Sequence, residues 1–387
     1  MRVLHLTTMY PLSMQGIHSG GHAVYHLVEA LRQQMGADSQ DVWLFRPPWA
    51  QLYHHVSTRK TQSELYRASP FVPYLRFRDC LTLPTGLFDD VINPAWQRAS
   101  ILPSQTAERY DVLHVHTPRS LGLLAARMSA NWRVPFVATV RRDMAQWHHQ
   151  HALRKRAIHQ CLRKANAIVA PSPVLARCTL EATGRLPSVI PNGTSALFNE
   201  APPRGKVRYP FRILFVGTLN ENKAVTLLVK TVLDLLAQGT RAELVIVGTG
   251  PLENHVRTLA AGRAEIRLLG WQSQEQVREQ MREAQVLCVV SYSETFGIVY
   301  AEAMKQGTAV VARAGTGIDG MGEDGTHYRL IRDDRDLEPT LRDLLQDPDE
   351  CRRLGSSGRL LAQNWSWSQA ATSYSQAYCE ATRNVPR

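Results

Sequence analysis

The chain has 387 residues, more than one ordinary hydrophobic core accommodates, so two domains are expected. Its 44% hydrophobic and 20% charged residues are those of a soluble globular protein, and no apolar run approaches the roughly 18 residues that span a bilayer. The net charge of +11 lies wholly in the first half: residues 1–190 carry 22 Lys/Arg against 11 Asp/Glu, whereas 191–387 carry 23 of each. That asymmetry points the first half at an anionic partner, with nucleic acid, an anionic lipid surface and a phosphorylated substrate all open.

"MRVLHLTTMYPL" opens the chain; His5, Thr7 and Thr8 interrupt its apolar residues and no small-residue cleavage site follows, so it reads as a first β-strand and not as a signal peptide. Gly20 and Gly21 precede an amphipathic stretch, Val24–Gln34, where a bare backbone can approach a phosphate closely. "DVWLF" is a second strand. The segments Trp43–Val56 and Phe71–Leu81 alternate aromatics with arginines, broken by prolines, and read as an insertion or long loop over about 43–105. "DVLHVH", "PFVATV" and "AIVAPS" are further buried strands, the second running straight into Arg141 and Arg142. Arg141–Lys164 holds seven Lys/Arg against Asp143 alone, together with His148, His149, His151 and His159. The three close histidines lack i, i+4 pairing and read as a solvated or lipid-facing surface. "ALRKRAIHQCLRKA" is an amphipathic helix whose basic face suits an anionic leaflet, or simply water.

Asn199–Pro210, rich in proline and charge, reads as a linker. Beyond it the alternation repeats with "RILFVGTL", "AELVIVG", "EIRLLG", "VLCVV" and "TAVVA". Strands alternating with helices, twice over, mean two doubly wound α/β domains of similar size, each binding ligands beyond the carboxyl ends of its strands. The expected divisions are 1–205, 206–364 and a final helix over 365–387, with Trp365 and Trp367 in structural roles. The six cysteines form no Cys-x-x-Cys pair and read as reduced thiols. "DDRD" (Asp333–Asp336) and "DPD" (Asp347–Asp349) match an Asp-x-Asp metal pattern formally, but their polar, helix-flanking setting reads as caps and turns, so no metal site is expected.

In "SYSETFGIVYAEAMKQG", Glu294 and Glu302 are separated by seven residues. Glu294 falls in a loop and Glu302 about five residues into the following helix, roughly 7–8 Å along its axis. The amides of Thr295, Phe296, Gly297, Ile298 and Val299 lie at the helix start, an anion- and hydroxyl-binding geometry. Two separated carboxylates can each accept hydrogen bonds from a vicinal diol, as at the two ends of a nucleotide sugar. Two solvated acids on an exposed helix are the other reading.

"SETFGIVYAEAMKQGTAVVA" resembles the signature of glycosyltransferase family 4: Glu-x7-Glu with Phe-Gly after the first Glu. "SGGHAVYHLVEAL", "YDVLHVHTPRSLGLLAA", "ILFVGTLNENKAVTLLVKTV" and "LVIVGTGPLENHV" resemble other parts of the family in the same order. The likeness covers nearly the whole chain except about 43–105. It implies the GT-B fold, with two Rossmann-like domains facing across a cleft and a C-terminal helix crossing back to the first. It also implies retaining transfer of a hexose from a nucleotide sugar, with no metal or other cofactor. Carried onto this sequence, Lys223 contacts the donor diphosphate and Glu294 the hexose, while Glu302 takes the ribose. Gly20, Gly21, Gly217, Thr218, Gly248, Trp271 and the Thr295–Val299 amides complete the donor site. His22, Arg141 and Arg142 fall on the acceptor side.

Two departures stand out. Family members usually carry an Arg five residues before the Lys, or one just before it; Thr218 and Asn222 occupy those places here. Many members have a His where Arg141 stands. The expectation is that Arg141 or Arg142 supplies the cation that Thr218 and Asn222 do not. The expected acceptor is a lipid-linked or glycan hydroxyl in envelope polysaccharide assembly. The expected location is cytoplasmic, at the inner membrane face, with the basic first domain against the anionic leaflet. A small soluble acceptor such as an inositol phosphate or an antibiotic aglycone is the alternative; an impaired relative and a nucleic-acid-binding protein rank lower, since no nucleic-acid motif accompanies the charge.

Overall fold

A computed structural model describes residues 1–10, 21–46, 75–79, 110–145, 147–149, 152–200 and 210–383. Gly20, His151, Cys80, most of the 43–105 segment and linker residues 201–209 lie outside the described residues.

The chain forms two compact units. In the first, the strands are β1 (Val3–Thr7), β2 (Gln40–Arg46), β3 (Leu75–Asp79), β4 (Val112–Val115), β5 (Phe136–Thr139), β6 (Ala167–Ala170) and β7 (Ser188–Val189). They make one sheet in the order β3-β2-β1-β4-β5-β6-β7, with parallel neighbours throughout. The helices are α1 (His22–Met35), α2 (Pro118–Trp132), the short α3 (Arg142–Ala145), α4 (Ala152–Lys164) and α5 (Pro173–Thr183). Strand order reverses between β1 and β4, which makes a crevice at their carboxyl ends. The segment expected as a loop over Phe71–Leu81 contains β3, an edge strand; its alternating Leu-Arg-Phe-Arg-Asp has the strand period of two.

In the second unit, β8 (Phe211–Val216), β9 (Ala242–Val247), β10 (Ile266–Gly270), β11 (Val286–Cys288), β12 (Ala309–Arg313) and β13 (Arg329–Ile331) form a sheet in the order β10-β9-β8-β11-β12-β13, again parallel. Its helices are α6 (Val225–Ala237), α7 (Glu253–Leu259), α8 (Gln274–Glu283), α9 (Ile298–Lys305), α10 (Leu337–Gln346) and α11 (Pro348–Ala362). The apolar runs 213–216, 244–247 and 309–312 in β8, β9 and β12 follow from burial on both sheet faces.

The units divide at Gly193/Thr194 and Ser366/Trp367, with Ser172–Val174 also grouped in the second. The sequence placed these divisions at 205 and 364. The physical reason for the difference is Phe198, fully buried in the second core, with its carbonyl accepting from Gln306 Nε2 at 2.7 Å. Thr194 and Ser366 bridge each other, and Thr194 N donates to Trp365 O at 3.1 Å. The last helix, α12 (Trp367–Arg383), belongs to the first unit: Ala370, Ala371, Tyr374 and Tyr378 pack with Val112, Val137 and Val169. Trp365 instead packs edge-on against Phe296 in the second unit, while Trp367 stacks on His26.

The basic helix α4 buries Ala157, Ile158, Cys161 and Leu162, which accounts for its apolar face. Arg156, Arg163 and Lys164 face water. Among the described residues no helix is long and apolar enough to cross a membrane, and the described cysteines are free.

Candidate active site

The second unit brings Lys223 and Glu294 together. A tight turn, Glu221–Lys223, follows β8, and the Asn220 side chain caps it by accepting from Lys223 N at 3.0 Å. Lys223 Nζ reaches Glu294 Oε2 at 2.5 Å. Asn222 fixes this encounter: its Nδ2 donates to Ser293 O at 2.9 Å and its carbonyl accepts from Tyr292 N at 2.9 Å. Asn222, at a position where the resemblance leads to the expectation of a cation, instead ties the Lys turn to the Glu loop. Thr218 is exposed and supplies no charge.

Glycines shape the space around these groups. Gly217 and Gly248 end β8 and β9 so close together that a Cβ on Gly248 would overlap the Gly217 carbonyl. Gly317, at φ +50°, donates its N–H to Glu294 O at 3.0 Å, and a Cβ there would crowd Glu294 Cγ at 3.1 Å. Gly297 caps α9 in the left-handed region, and Thr295 N donates to Glu294 Oε1 at 3.1 Å. The amides from Phe296 to Val299 are those of a helix N-terminus. The Phe296 side chain is core, so only its backbone faces this chemistry.

Glu302 sits one turn into α9. The residue is half-buried, and burial alone pushes its carboxyl up to about 8. No residue charge or hydrogen bond among the described residues contributes to that shift. A half-buried acid with no hydrogen-bond partner or opposite charge among the described residues is costly to ionise. Trp271, 52% exposed, stands at the end of edge strand β10.

In the first unit, Gly21 caps α1 at φ 93°, and what its missing side chain admits is the Met9–Tyr10 backbone, with Tyr10 N 2.7 Å from the Cβ position. The close approach at this glycine is therefore to its own chain. His22 is the first residue of α1. Arg142 is exposed at the start of α3, whereas Arg141 is half-buried at the end of β5. Its positive charge helps to hold His114 and His116 well below the ordinary histidine range, after burial as the main cause.

Sequence reasoning missed the polar core beside Arg141. His5, His114 and His116 lie fully buried, with ring nitrogens within 4.8 Å of one another. The alternation His-x-His in "LHVH" was the available signal: period two puts both rings on one sheet face. His5 Nδ1 and His116 Nε2 are only 2.9 Å apart, closer than the roughly 3.3 Å between two ligands of a tetrahedral ion. Those nitrogens share a hydrogen bond. The Asp-x-Asp stretches are caps: Asp336 accepts from Arg332 N and Asp333 N, and Asp347 from Asp349 N and Glu350 N. His148 is exposed.

Two Rossmann-like parallel sheets, with a Lys–Glu pair and a helix N-terminus beyond the strand ends of the second, have the architecture of a GT-B glycosyltransferase. Residues 210–347 match the family described as Glycosyl transferases group 1, and residues 21–196 that described as Glycosyltransferase Family 4. The chain belongs to glycosyltransferase family 4. It is 33% identical to a phosphatidyl-myo-inositol mannosyltransferase of Mycolicibacterium smegmatis over 273 residues, 66% of this chain and 68% of that one. It is 31% identical to a D-inositol 3-phosphate glycosyltransferase of Streptomyces coelicolor over 239 residues, 57% of this chain and 51% of that one. Its fold is similar to Anabaena HepE in complex with UDP and glucose, at 17% identity and a TM-score of 0.69, over 98% of this chain and 100% of that one.

Proposed function

We propose that this glycosyltransferase moves a hexose or N-acetylhexosamine, with retention, from a nucleoside diphosphate sugar to a hydroxyl of a lipid-linked or glycan acceptor. The observation that carries the reading is the Lys223–Glu294 pair at 2.5 Å beside the α9 N-terminus. A bound diphosphate draws Lys223 away from Glu294 and takes its charge. Glu294 is then free to accept hydrogen bonds from hexose hydroxyls, and Glu302 from the ribose diol. The C1–O bond to the diphosphate breaks. The acceptor oxygen bonds to C1 on the same face, and its proton passes to the departing phosphate. No metal enters this scheme; Lys223 and the backbone amides supply the positive potential. UDP is the favoured nucleotide, and the UDP complex of the structurally similar Anabaena protein supports that choice.

Thermal-shift measurement against UDP-, GDP- and dTDP-sugars tests the donor. The matching sugar nucleotide at about a hundred times its Kd stabilises the chain by about 2.7 kcal/mol. A flat response to all three would sink the reading.

Arg141 is proposed as the cation that Thr218 and Asn222 do not provide. Arg141→Ala should lower kcat/KM about 10–100-fold, and wild-type activity in that variant would exclude the role.

For the acceptor, the basic excess of the first half supports a phosphate-bearing lipid at an anionic membrane face. Co-sedimentation with anionic vesicles should fall as salt rises from low to physiological. The name of the Streptomyces relative, a D-inositol 3-phosphate glycosyltransferase, favours a second reading, a soluble inositol phosphate. Absence of vesicle binding together with transfer to such a phosphate would decide for it.

A further inference from the structure

The first unit contains a hydrogen-bonded wire that the donor chemistry does not use. It ends at His116, fully buried one residue past β4, at the carboxyl end of the strands between which the order reverses. Its members come from the turn between α1 and β2, from β2, from β1 and from the residue after β4.

The direction of every bond in it follows from groups with fixed roles. Ser39 Oγ lies 2.6 Å from the Gly36 carbonyl, which can only accept, so the hydroxyl donates there. Ser39 Oγ is then an acceptor for Gln40 Nε2 at 3.0 Å, with Met35 Sδ a weaker acceptor for the same nitrogen at 3.5 Å. The Gln40 amide is thereby turned with Oε1 toward His5, whose Nε2 is 2.7 Å away. His5 donates through Nε2. Burial holds this ring neutral, lowering it to about 4, so its Nδ1 is bare. That Nδ1 lies 2.9 Å from His116 Nε2 and accepts from it.

His116 is itself held neutral by burial and by the nearby His114, His5 and Arg141. With its proton on Nε2, its Nδ1 carries only a lone pair, and that atom is buried without a hydrogen-bond partner among the described residues. The backbone is pinned too, His116 N donating to Leu6 O at 3.0 Å. Any reversed tautomer in the wire sets acceptor against acceptor, either His116 against His5 or His5 against Gln40. The third ring, His114, is occupied separately, by Tyr378 OH and Thr139 Oγ1, each at 2.7 Å.

We infer that Gln40 and His5 are positioning residues that lock His116 in the tautomer protonated on Nε2, so that its Nδ1 accepts a hydrogen bond from a substrate hydroxyl. The inference rests on the proposed reading that sugar or acceptor hydroxyls reach this end of the first sheet. An unpartnered buried acceptor is unfavourable, and a hydroxyl donor relieves it.

Heteronuclear NMR of the histidine ring nitrogens in the full ligand-free chain tests the wire without reference to activity. His116 signals are assigned by their loss in His116→Asn. Near neutral pH, the wild-type ring should carry its proton on Nε2 alone. In Gln40→Met the His116 ring should populate both tautomers. Ser39→Ala, a smaller change, loosens the wire from its far end and should give the same mixture if Gln40→Met does not fold. A wild-type His116 protonated on Nδ1, or on both nitrogens, overturns the inference. So does an unchanged tautomer in either folded variant. A chain with the expected tautomers but no glycosyl transfer would sink the functional reading and leave the wire standing.

Discussion

Lys223→Ala is expected to lower kcat/KM for glycosyl transfer about a thousandfold while leaving the fold intact. In a site of low dielectric, a fixed cation aimed at a developing diphosphate charge is worth about 3–4 kcal/mol. The loss should fall mainly on kcat, because the charge grows as the C1–O bond breaks. Stability should change less. Lys223 and Glu294 are 21% and 16% exposed, and Glu294 keeps the Thr295 amide after the substitution. A cost of about 1–2 kcal/mol is expected from the half-buried carboxylate left without its cation. Steady-state kinetics with calorimetry on the same preparation separate the two effects. Activity within tenfold of wild type would remove Lys223 from the chemistry.

Glu302→Gln is expected to do two opposite things. The Glu302 carboxyl is raised from 4.5 to about 8 in the folded chain. A group raised in this way favours the folded state most below pH 4.5, and that contribution is lost as pH rises through about 8. The neutral amide has no such loss. The ligand-free variant should therefore gain stability over wild type as pH rises from about 5 to 9, by about 2–4 kcal/mol at the alkaline end. Nucleotide binding should move the other way. The ribose diol donates two hydrogen bonds to an ionised carboxylate, so the amide should weaken UDP binding about 10–100-fold. Wild-type binding near neutral pH should also release a proton, visible as a buffer-dependent heat. A stability difference independent of pH, or UDP binding equal to wild type, would show that Glu302 is an ordinary helix acid.

The sequence pattern made much of this site legible. The glycine before α9 and the Lys after β8 follow from local rules of helix starts and strand ends, while the reading of Glu-x7-Glu and of Lys223 as a donor site is what the resemblance to glycosyltransferase family 4 implies. What it left open was how side chains are used. Asn222 reads along the chain as a missing cation; only its contacts with Ser293 and Tyr292 show a tether that carries Lys223 to Glu294. Gly21 reads as a phosphate-approach glycine, yet the space it opens is filled by Met9 and Tyr10. Arg141 and Arg142 are neighbours with equal claims in sequence, and folding separates them into one half-buried and one exposed group. Phe71–Leu81 hid an edge strand because aromatics, arginines and prolines blur its alternation.

By itself the sequence determined the two parallel-sheet units, since hydrophobic periodicity is a local property set by burial on one or both faces. It placed Gly217, Lys223 and Glu294 at strand ends and helix starts as well, because such residues answer to turn and helix geometry a few residues away; the chemistry assigned to them is what the resemblance to glycosyltransferase family 4 implies. Tertiary structure alone decided the long-range pairings. Glu294 meets a Lys 71 positions earlier, His5 meets His116 across 111 positions, and Tyr378 caps His114 from 264 positions further on. Such contacts arise where parallel strands and a returning helix bring distant segments side by side. No local propensity encodes them, and burial there sets the charge of Glu302 and of the three histidines.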